Sequence, residues 1–334
     1  MINMKYYPWL DKAYHQLVQP LLIGRAHHAW LIHYVAGSGE SLLLQRFFSR
    51  LLCLTPRGEA ACGHCHSCLL FKAGNHPDYY HIQTEKDKKQ IGVEQIRQLT
   101  DKVYEHAQQG GTKLIWIEQA TDLTEAAANA LLKTLEEPPS DTYFILTESN
   151  PQQLMATLRS RCSLFYLAPP SLEQAMAWLQ HCQPNYTENQ RATALLLNNN
   201  APLAASELLN TENWQLREQF CEHLSECLSK GEFWSLLARI NTPQSKIKIT
   251  WFCSLLLDAV KAKNRAGKFV TNRDKVPLIR LIARFDIEQI YYWYHLWHQV
   301  KWQLQTISGL NQELILANML AQSELKLKSY NRPN

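Results

Sequence analysis

Three groups of residues in this sequence have the types and spacing to do chemistry. In the first, Cys62-Gly63-His64-Cys65-His66-Ser67-Cys68 sets two CxxC steps in tandem, and Cys53 precedes them by nine positions. Short CxxC steps bring thiolates close enough to share one tetrahedral zinc, and Gly63 eases the tight turn such a knuckle needs. Four thiolates close the coordination shell, so the metal would be structural. Cys53 falls at the end of a helical pattern, and His64, His66 and His76 are the alternative donors for its place. A redox pair or simple buried thiols is the competing reading. The other cysteines, Cys162, Cys182, Cys221, Cys227 and Cys253, are scattered. They read as small buried hydrophobes rather than parts of a disulfide framework.

The second group is a degraded phosphate loop. Tyr34-Val35-Ala36-Gly37-Ser38-Gly39-Glu40-Ser41 follows an apolar run and opens a Leu-rich helical pattern, the place of a GxxxxGK[ST] motif. That motif needs glycines so that backbone N–H groups can wrap phosphates, and a lysine to reach the β- and γ-phosphates. Here Tyr34 replaces the first glycine and Glu40 the lysine, while Gly39 and Ser41 remain. A carboxylate at that place repels phosphate. The third group, Leu114-Ile115-Trp116-Ile117-Glu118-Gln119, has the form of a buried strand ending in the metal-and-base pair of a P-loop ATPase. Glu118 keeps a carboxylate suited to a metal. Gln119 cannot act as a general base, because an amide takes up no proton near neutrality. On their own these two pieces are also compatible with an ordinary strand–turn–helix and a buried strand with a polar end.

The elements that must position these groups follow from periodicity. Strand-like runs lie at Trp30–Val35, Tyr79–Gln83, Lys113–Ile117, Tyr143–Thr147 and Leu164–Leu167. Helical patterns lie between them. Leu43, Phe47 and Leu51 recur at i, i+4 and i+8, Val93, Ile96 and Leu99 mark another, and Ala128, Leu131, Leu132 and Leu135 share a face that Pro138-Pro139 must end. Alternating strands and helices predict a parallel sheet covered on both faces. After Pro169-Pro170 strand signals almost vanish. A helical pattern starts at Ser171, Asn198–Pro202 breaks it, and the plainest later helices are Glu232–Ile240, Ile247–Lys263, Glu288–Gln305 and Asn311–Leu327. A small helical module and then a larger bundle are expected. Glu85–Lys89 is a charged, solvated loop. Ile290, Trp293, Trp297 and Val300 have the spacing of a bundle core rather than of a base-stacking platform.

Composition bounds the rest. The chain has 334 residues, 46% hydrophobic and 19% charged, enough for two or three globular domains. The N-terminus lacks the basic-then-apolar order of a secretory signal, and no apolar run is long enough to span a membrane, so a cytoplasmic location is expected. Net charge is +4 but uneven: residues 209–334 carry 17 Lys+Arg against 11 Asp+Glu. The stretch from Lys246 to Arg284 holds ten basic residues and two acidic ones, Asp258 and Asp274. Such a surface suits DNA or another acidic partner, or is simply solvated.

Asn129-Ala130-Leu131-Leu132-Lys133-Thr134-Leu135-Glu136-Glu137-Pro138-Pro139 closely resembles the helix after the Walker B strand in bacterial clamp-loader subunits. Gly24–Ala29, the four-cysteine insertion and Leu158-Arg159-Ser160-Arg161-Cys162 complete the likeness. Tyr7-Pro8-Trp9-Leu10, the missing lysine and Gly309–Ile315 resemble the delta-prime branch of that AAA+ family. The likeness spans essentially the whole chain and is strongest from Gly24 to Pro170.

The resemblance implies an AAA+, P-loop NTPase-like α/β domain at 1–167 with a zinc-binding insertion at about 53–78, an all-α lid at 168–207 and an all-α collar at 208–334. It implies a five-subunit ring with three tau/gamma-type ATPases and one delta subunit, which loads a sliding clamp onto primed DNA. It also implies that Arg161 of the Ser-Arg-Cys motif is an arginine finger reaching a neighbour's ATP. A guanidinium there meets the charge of the transferred phosphoryl group, worth roughly 10³–10⁵ in rate in suitable systems. Taken without the motif, Arg161 reads as a surface residue, and Arg159 is its near competitor. Asn150-Pro151 looks like a helix start that would fix the motif. Leu203 stands where active subunits carry a nucleotide-contacting lid arginine. Departures at Tyr34, Glu40, Gln119 and Leu203 lead to an expectation of no ATP hydrolysis by this chain. The alternatives are an active tau/gamma-type ATPase, which Glu40 opposes, and a stand-alone zinc-containing DNA-binding repair protein, which would bind DNA by itself with strong salt dependence. No two-metal carboxylate site is visible, so any polymerase (nucleotidyltransferase) activity would belong to the whole holoenzyme.

Overall fold

A computed structural model describes residues 7–86, 88–150, 154–307 and 309–330. Asp87 of the charged loop and Pro151 of the expected Asn150-Pro151 helix start lie outside the described residues. The chain divides after Pro170 into two compact units.

The first unit runs α1 (Leu10–Leu22), β1 (Ala29–Tyr34), α2 (Glu40–Leu52), α3 (His66–Lys72), β2 (Tyr79–Ile82), α4 (Val93–Tyr104), β3 (Lys113–Ile117), α5 (Glu125–Glu136), β4 (Thr142–Glu148), α6 (Ala156–Arg159) and β5 (Ser163–Leu167). The five strands are parallel in the order β2-β3-β4-β1-β5, the helix-covered parallel sheet that the alternating pattern predicts. Each lies within a residue of its expected ends. The inner strands β1, β3 and β4 are nearly all buried because both sheet faces are covered, which is why they read as continuous apolar runs. On one face α4 and α5 bury Ile96, Leu99, Val103, Ala128, Leu131 and Leu135 against Ile115, Ile117, Phe144 and Leu146. Leu43, Phe47, Phe48 and Leu51 of α2 are also buried. Thr124 caps α5 by accepting from Ala127 N at 3.2 Å, and the helix ends at Glu136, just before the two prolines. Parallel order puts the carboxyl ends of β1, β3 and β4 at one edge, where ligand sites of open α/β sheets form. Helix α1 is absent from the sequence reading, although Leu10, Tyr14, Leu17 and Val18 carry its buried face.

The second unit is helical: α7 (Leu172–Cys182), α8 (Glu188–Leu197), α9 (Pro202–Leu208), α10 (Thr211–Lys230), α11 (Leu237–Ile240), α12 (Ser245–Lys263), α13 (Val276–Ile282), α14 (Ile287–Thr306) and α15 (Gln312–Tyr330). The single helix expected over Glu232–Ile240 is a correction: a 3-10 turn at Phe233–Leu236 precedes α11. The tighter turn puts Phe233 and Leu236, three residues apart, both into the core. Ile290, Trp293, Trp297 and Val300 line that core, and both indoles donate to Ser323 of α15, Trp293 to its carbonyl at 3.2 Å and Trp297 to its hydroxyl at 3.0 Å. Among the described residues no helix is long and apolar enough to cross a membrane.

A buried ionic cluster joins α10, α12 and the loop before α13. Arg217, fully buried, donates to both Asp274 oxygens at 2.6 and 3.2 Å and to Asn272 Oδ1 at 2.8 Å, with its guanidinium 4.8 Å from the Trp214 ring. Fully buried Asp258 accepts from Thr271 N and Asn272 N at 2.9 and 2.7 Å and from Lys261 Nζ at 2.8 Å. Removing one partner of such a pair leaves a charge in low dielectric. Asp274→Ala is therefore expected to cost about 3–5 kcal/mol. Urea unfolding followed by tryptophan emission measures this, and a loss below about 1 kcal/mol would show the guanidinium finding water instead.

Candidate functional site

The loop between β1 and α2 is folded as a phosphate cradle and is filled by its own chain. Gly37 and Gly39 have φ of 83° and 97°, which turn their N–H groups inward. Gly37 N donates to Glu40 Oε1 at 3.1 Å and Gly39 N to Glu40 Oε2 at 3.0 Å. The carboxylate thus takes two donors of the kind that wrap phosphate in an ATPase. The N-terminal segment closes the loop from outside. Trp9 Nε1 donates to Ser38 O at 2.7 Å, Tyr7 stacks on Trp9 at 5.1 Å, and a Cβ at Gly39 would sit 3.2 Å from Leu10 and 3.3 Å from Tyr7. Ser41 is exposed at the start of α2.

The other altered positions meet at the same edge. Gln119, at φ 50°, donates from Nε2 to the Tyr34 hydroxyl at 2.7 Å. The Tyr34 phenol is pushed up to about 12 by burial and by the carboxylates of Glu40, Glu118 and Glu148. Glu118 Oε2 is paired with His81 Nε2 at 2.8 Å, and that imidazole lies flat on Trp116 at 3.9 Å. Glu148, almost fully buried at the end of β4, accepts from Thr121 N at 2.9 Å and Asn150 N at 2.8 Å. It holds the loop after Gln119, a role the sequence reading missed; the signal was a charged residue ending an apolar strand.

Cys53 ends α2, Cys65 caps α3 and Cys68 lies in its first turn. The sulfurs of Cys53, Cys62, Cys65 and Cys68 all lie within 4.8 Å of one another. A zinc with Zn–S bonds of about 2.3 Å needs sulfurs about 3.8 Å apart, so the four fit one tetrahedral ion. Backbone N–H groups of Cys62, Cys65 and Cys68 point at Cys53, Cys62 and Cys65 sulfurs at 3.2, 3.3 and 3.4 Å. The Cys62 thiol is held down to about 5, first by the Thr55 side chain, whereas burial pushes Cys68 up to about 12. His64 and His66 are exposed. His76 is engaged elsewhere: the Ser67 hydroxyl donates to Leu52 O at 2.5 Å, so His76 Nε2–H donates to Ser67 at 2.7 Å, and His76 Nδ1 accepts from Asp78 N at 3.1 Å. No nitrogen of His76 is left for a metal.

Arg161 lies just past Ser160, the residue that caps the end of α6. It donates from Nε to Glu136 Oε1 at 2.7 Å and from Nη1 to Thr157 O at 2.9 Å, and its Nη2 also pairs with Glu136. Its side chain is one-third exposed and that of Glu136 one-half. Arg159 is exposed. Burial pushes the Cys162 thiol up to about 12, which keeps it an inert packing group. Leu203 lies in the first turn of α9, in the second unit.

Two family profiles match, one described as DNA polymerase III, delta subunit, over residues 9–171, and one as its C-terminal part over 211–324. DNA polymerase III subunit delta' of Yersinia pestis is 44% identical over 333 residues, covering 98% of this chain and 97% of its own. The Escherichia coli K12 subunit delta' is 40% identical over 331 residues, covering 99% and 97%. The chain belongs to the delta-prime subunits of DNA polymerase III. A tau subunit of DNA polymerase III from Salmonella typhimurium is 34% identical over 182 residues, covering 54% of this delta-prime chain and 28% of the tau chain.

In this delta-prime chain the cysteine knuckle is anchored to the sheet through a neutral imidazole. Burial lowers the His76 pKa below its ordinary 6.5, with the Asp78 carboxylate opposing in part. Between the folded and unfolded pKa values the unfolded state binds more protons, so stability falls as pH drops below 6.5. The melting temperature should therefore decline more steeply between pH 7 and 5 for the natural chain than for His76→Gln. Parallel curves would mean that protonation of His76 carries no penalty.

Proposed function

We propose that this chain is the non-hydrolysing delta-prime subunit of a clamp loader. In this reading it helps assemble a five-membered ring, helps place the sliding clamp on primed DNA, and lends Arg161 in trans to a neighbour's ATP. The observation that carries the reading is the Glu40 carboxylate bound to Gly37 and Gly39 N–H. A triphosphate would have to displace a tethered anion and then face its charge, without the lysine that compensates phosphate elsewhere. Gln119 adds that a water, once there, would find no base.

Arg161 supports the other half. It is held at the end of a short helix, partly exposed, with a rigid, always-charged fork. The partners in this reading are tau/gamma-type ATPases and a delta subunit, with the clamp and DNA met through the complex, in the cytoplasm at the replication fork. Residues 1–167 act as the AAA+ domain with its insertion at about 53–78, 168–207 as the lid and 208–334 as the collar. Zinc on Cys53, Cys62, Cys65 and Cys68 holds the insertion together and does no chemistry.

The test is ATP turnover in a reconstituted loader stimulated by clamp and primed DNA, with assembly checked by gel filtration. Loss of a finger removes roughly 10³-fold or more at the site it serves. With three ATP sites, Arg161→Ala lowers the summed rate by about a third if they fire independently, and by tenfold or more if they fire in order. The chain alone should turn over no ATP. An unchanged rate in an intact ring would remove Arg161 from the chemistry.

Metal analysis of the purified chain should find about one zinc per molecule. Cys65→Ser should lose most of it and melt at lower temperature. Equal melting temperatures with and without chelator would deny the ion a structural role.

A further inference from the structure

The two motifs that carried the family resemblance meet in space. Glu136 closes the helix of the first, and Arg161 is the centre of the second. Their contact uses the Nε and Nη2 edge of the guanidinium, the edge that grips a carboxylate or a phosphate in a fork. Glu136 is also oddly placed for its own helix. It sits in the last turn of α5, where the carbonyl ends make a carboxylate unfavourable, so only a nearby cation offsets its charge. Lys133 lies in the same turn, but Arg161 supplies the cation in contact with Glu136, and Thr157 O fixes the other edge of the same guanidinium.

From this we infer that Glu136 is the resting counter-ion of Arg161, a positioning residue that occupies the finger until a neighbour's phosphate displaces it. The inference rests on the proposed role of Arg161 in trans. The pair suits exchange: both side chains are substantially exposed, so the ion pair is weakened by solvent and ions, and a polyphosphate carries more charge than one carboxylate. With Glu136 attached, the finger is oriented but neutralised. Once released, it adds its charge where the transferred phosphoryl group spreads its own. The carboxylate thereby sets a threshold: only a well-docked neighbour wins the guanidinium, and idle hydrolysis by a loosely closed ring is suppressed.

The experiment compares the reconstituted loader containing the natural chain with loaders containing Glu136→Gln, Glu136→Asp, Arg161→Ala, and Glu136→Gln combined with Arg161→Ala. ATP turnover is measured with and without clamp and primed DNA. Glu136→Gln keeps the shape and removes the charge. It should raise the unstimulated rate threefold or more and lower KM for ATP, with the fully stimulated kcat unchanged within twofold. Glu136→Asp, which keeps the charge, should return the unstimulated rate toward that of the natural chain. In the Arg161→Ala background the Gln substitution should do nothing. A parallel fall of both rates at constant KM would overturn the inference, because Glu136 would then be holding Arg161 in its productive position. No change in either rate, with Arg161→Ala still impaired, would overturn it while leaving the finger standing. If Arg161→Ala itself is without effect, the finger reading falls and this inference falls with it. Thermal melting of each variant separates these outcomes from misfolding, and Glu136→Gln should melt close to the natural chain because the pair is exposed.

Discussion

A loop that turns successive N–H groups into one concavity must find acceptors for them. Successive N–H groups turned into a concavity are strong donors, and leaving them unpaired away from water costs free energy. In this chain the acceptor is Glu40, one residue beyond the glycine whose N–H it accepts. Much of the first unit is arranged around that choice. Tyr34 stands where a phosphate-binding loop would need a glycine. Gln119 points its amide at that tyrosine. Tyr7, Trp9 and Leu10 lie across the loop. A ligand fixed by a covalent tether has no dissociation step and an effective concentration set by geometry. In the proposed reading a nucleotide would have to compete with that tethered carboxylate for the same N–H groups.

The strands were legible because a parallel sheet covered on both faces demands unbroken apolar runs, as in Lys113–Ile117 and Thr142–Glu148. Helix α5 was legible because its start, apolar face and proline stop all agree. Helix α1 escaped because it precedes the first strand and carries Pro20, which argues against a helix. Phe233–Ile240 was legible as helical but not as a 3-10 turn followed by an α turn, since both spacings fit the same few apolar residues.

The site was legible in residue types and not in their partners. Spacing names four cysteines and several rival histidines. Only the fold brings Cys53 to the others and commits both nitrogens of His76 to Ser67 and Asp78. Likewise, Glu40 reads in sequence as a charge that repels phosphate. That it curls back to replace phosphate depends on side-chain torsions, which no spacing encodes. Glu136 and Arg161 lie 25 residues apart, so their contact belongs to tertiary structure. Glu148 was passed over because a charged residue at a strand end usually faces water, whereas here it is almost fully buried under backbone donors.

The Arg217–Asp274 cluster has a mechanical side. Apolar contacts between helices are non-directional, so one set can be replaced by another after rearrangement. A desolvated guanidinium gripped by a carboxylate and an amide cannot be remade after a small displacement. Asp274 N also points at the Thr193 hydroxyl of α8, at 3.4 Å, so the pin reaches a third helix. Shear among α8, α10 and α12 is thus resisted by the directional geometry of these bonds as well as by packing.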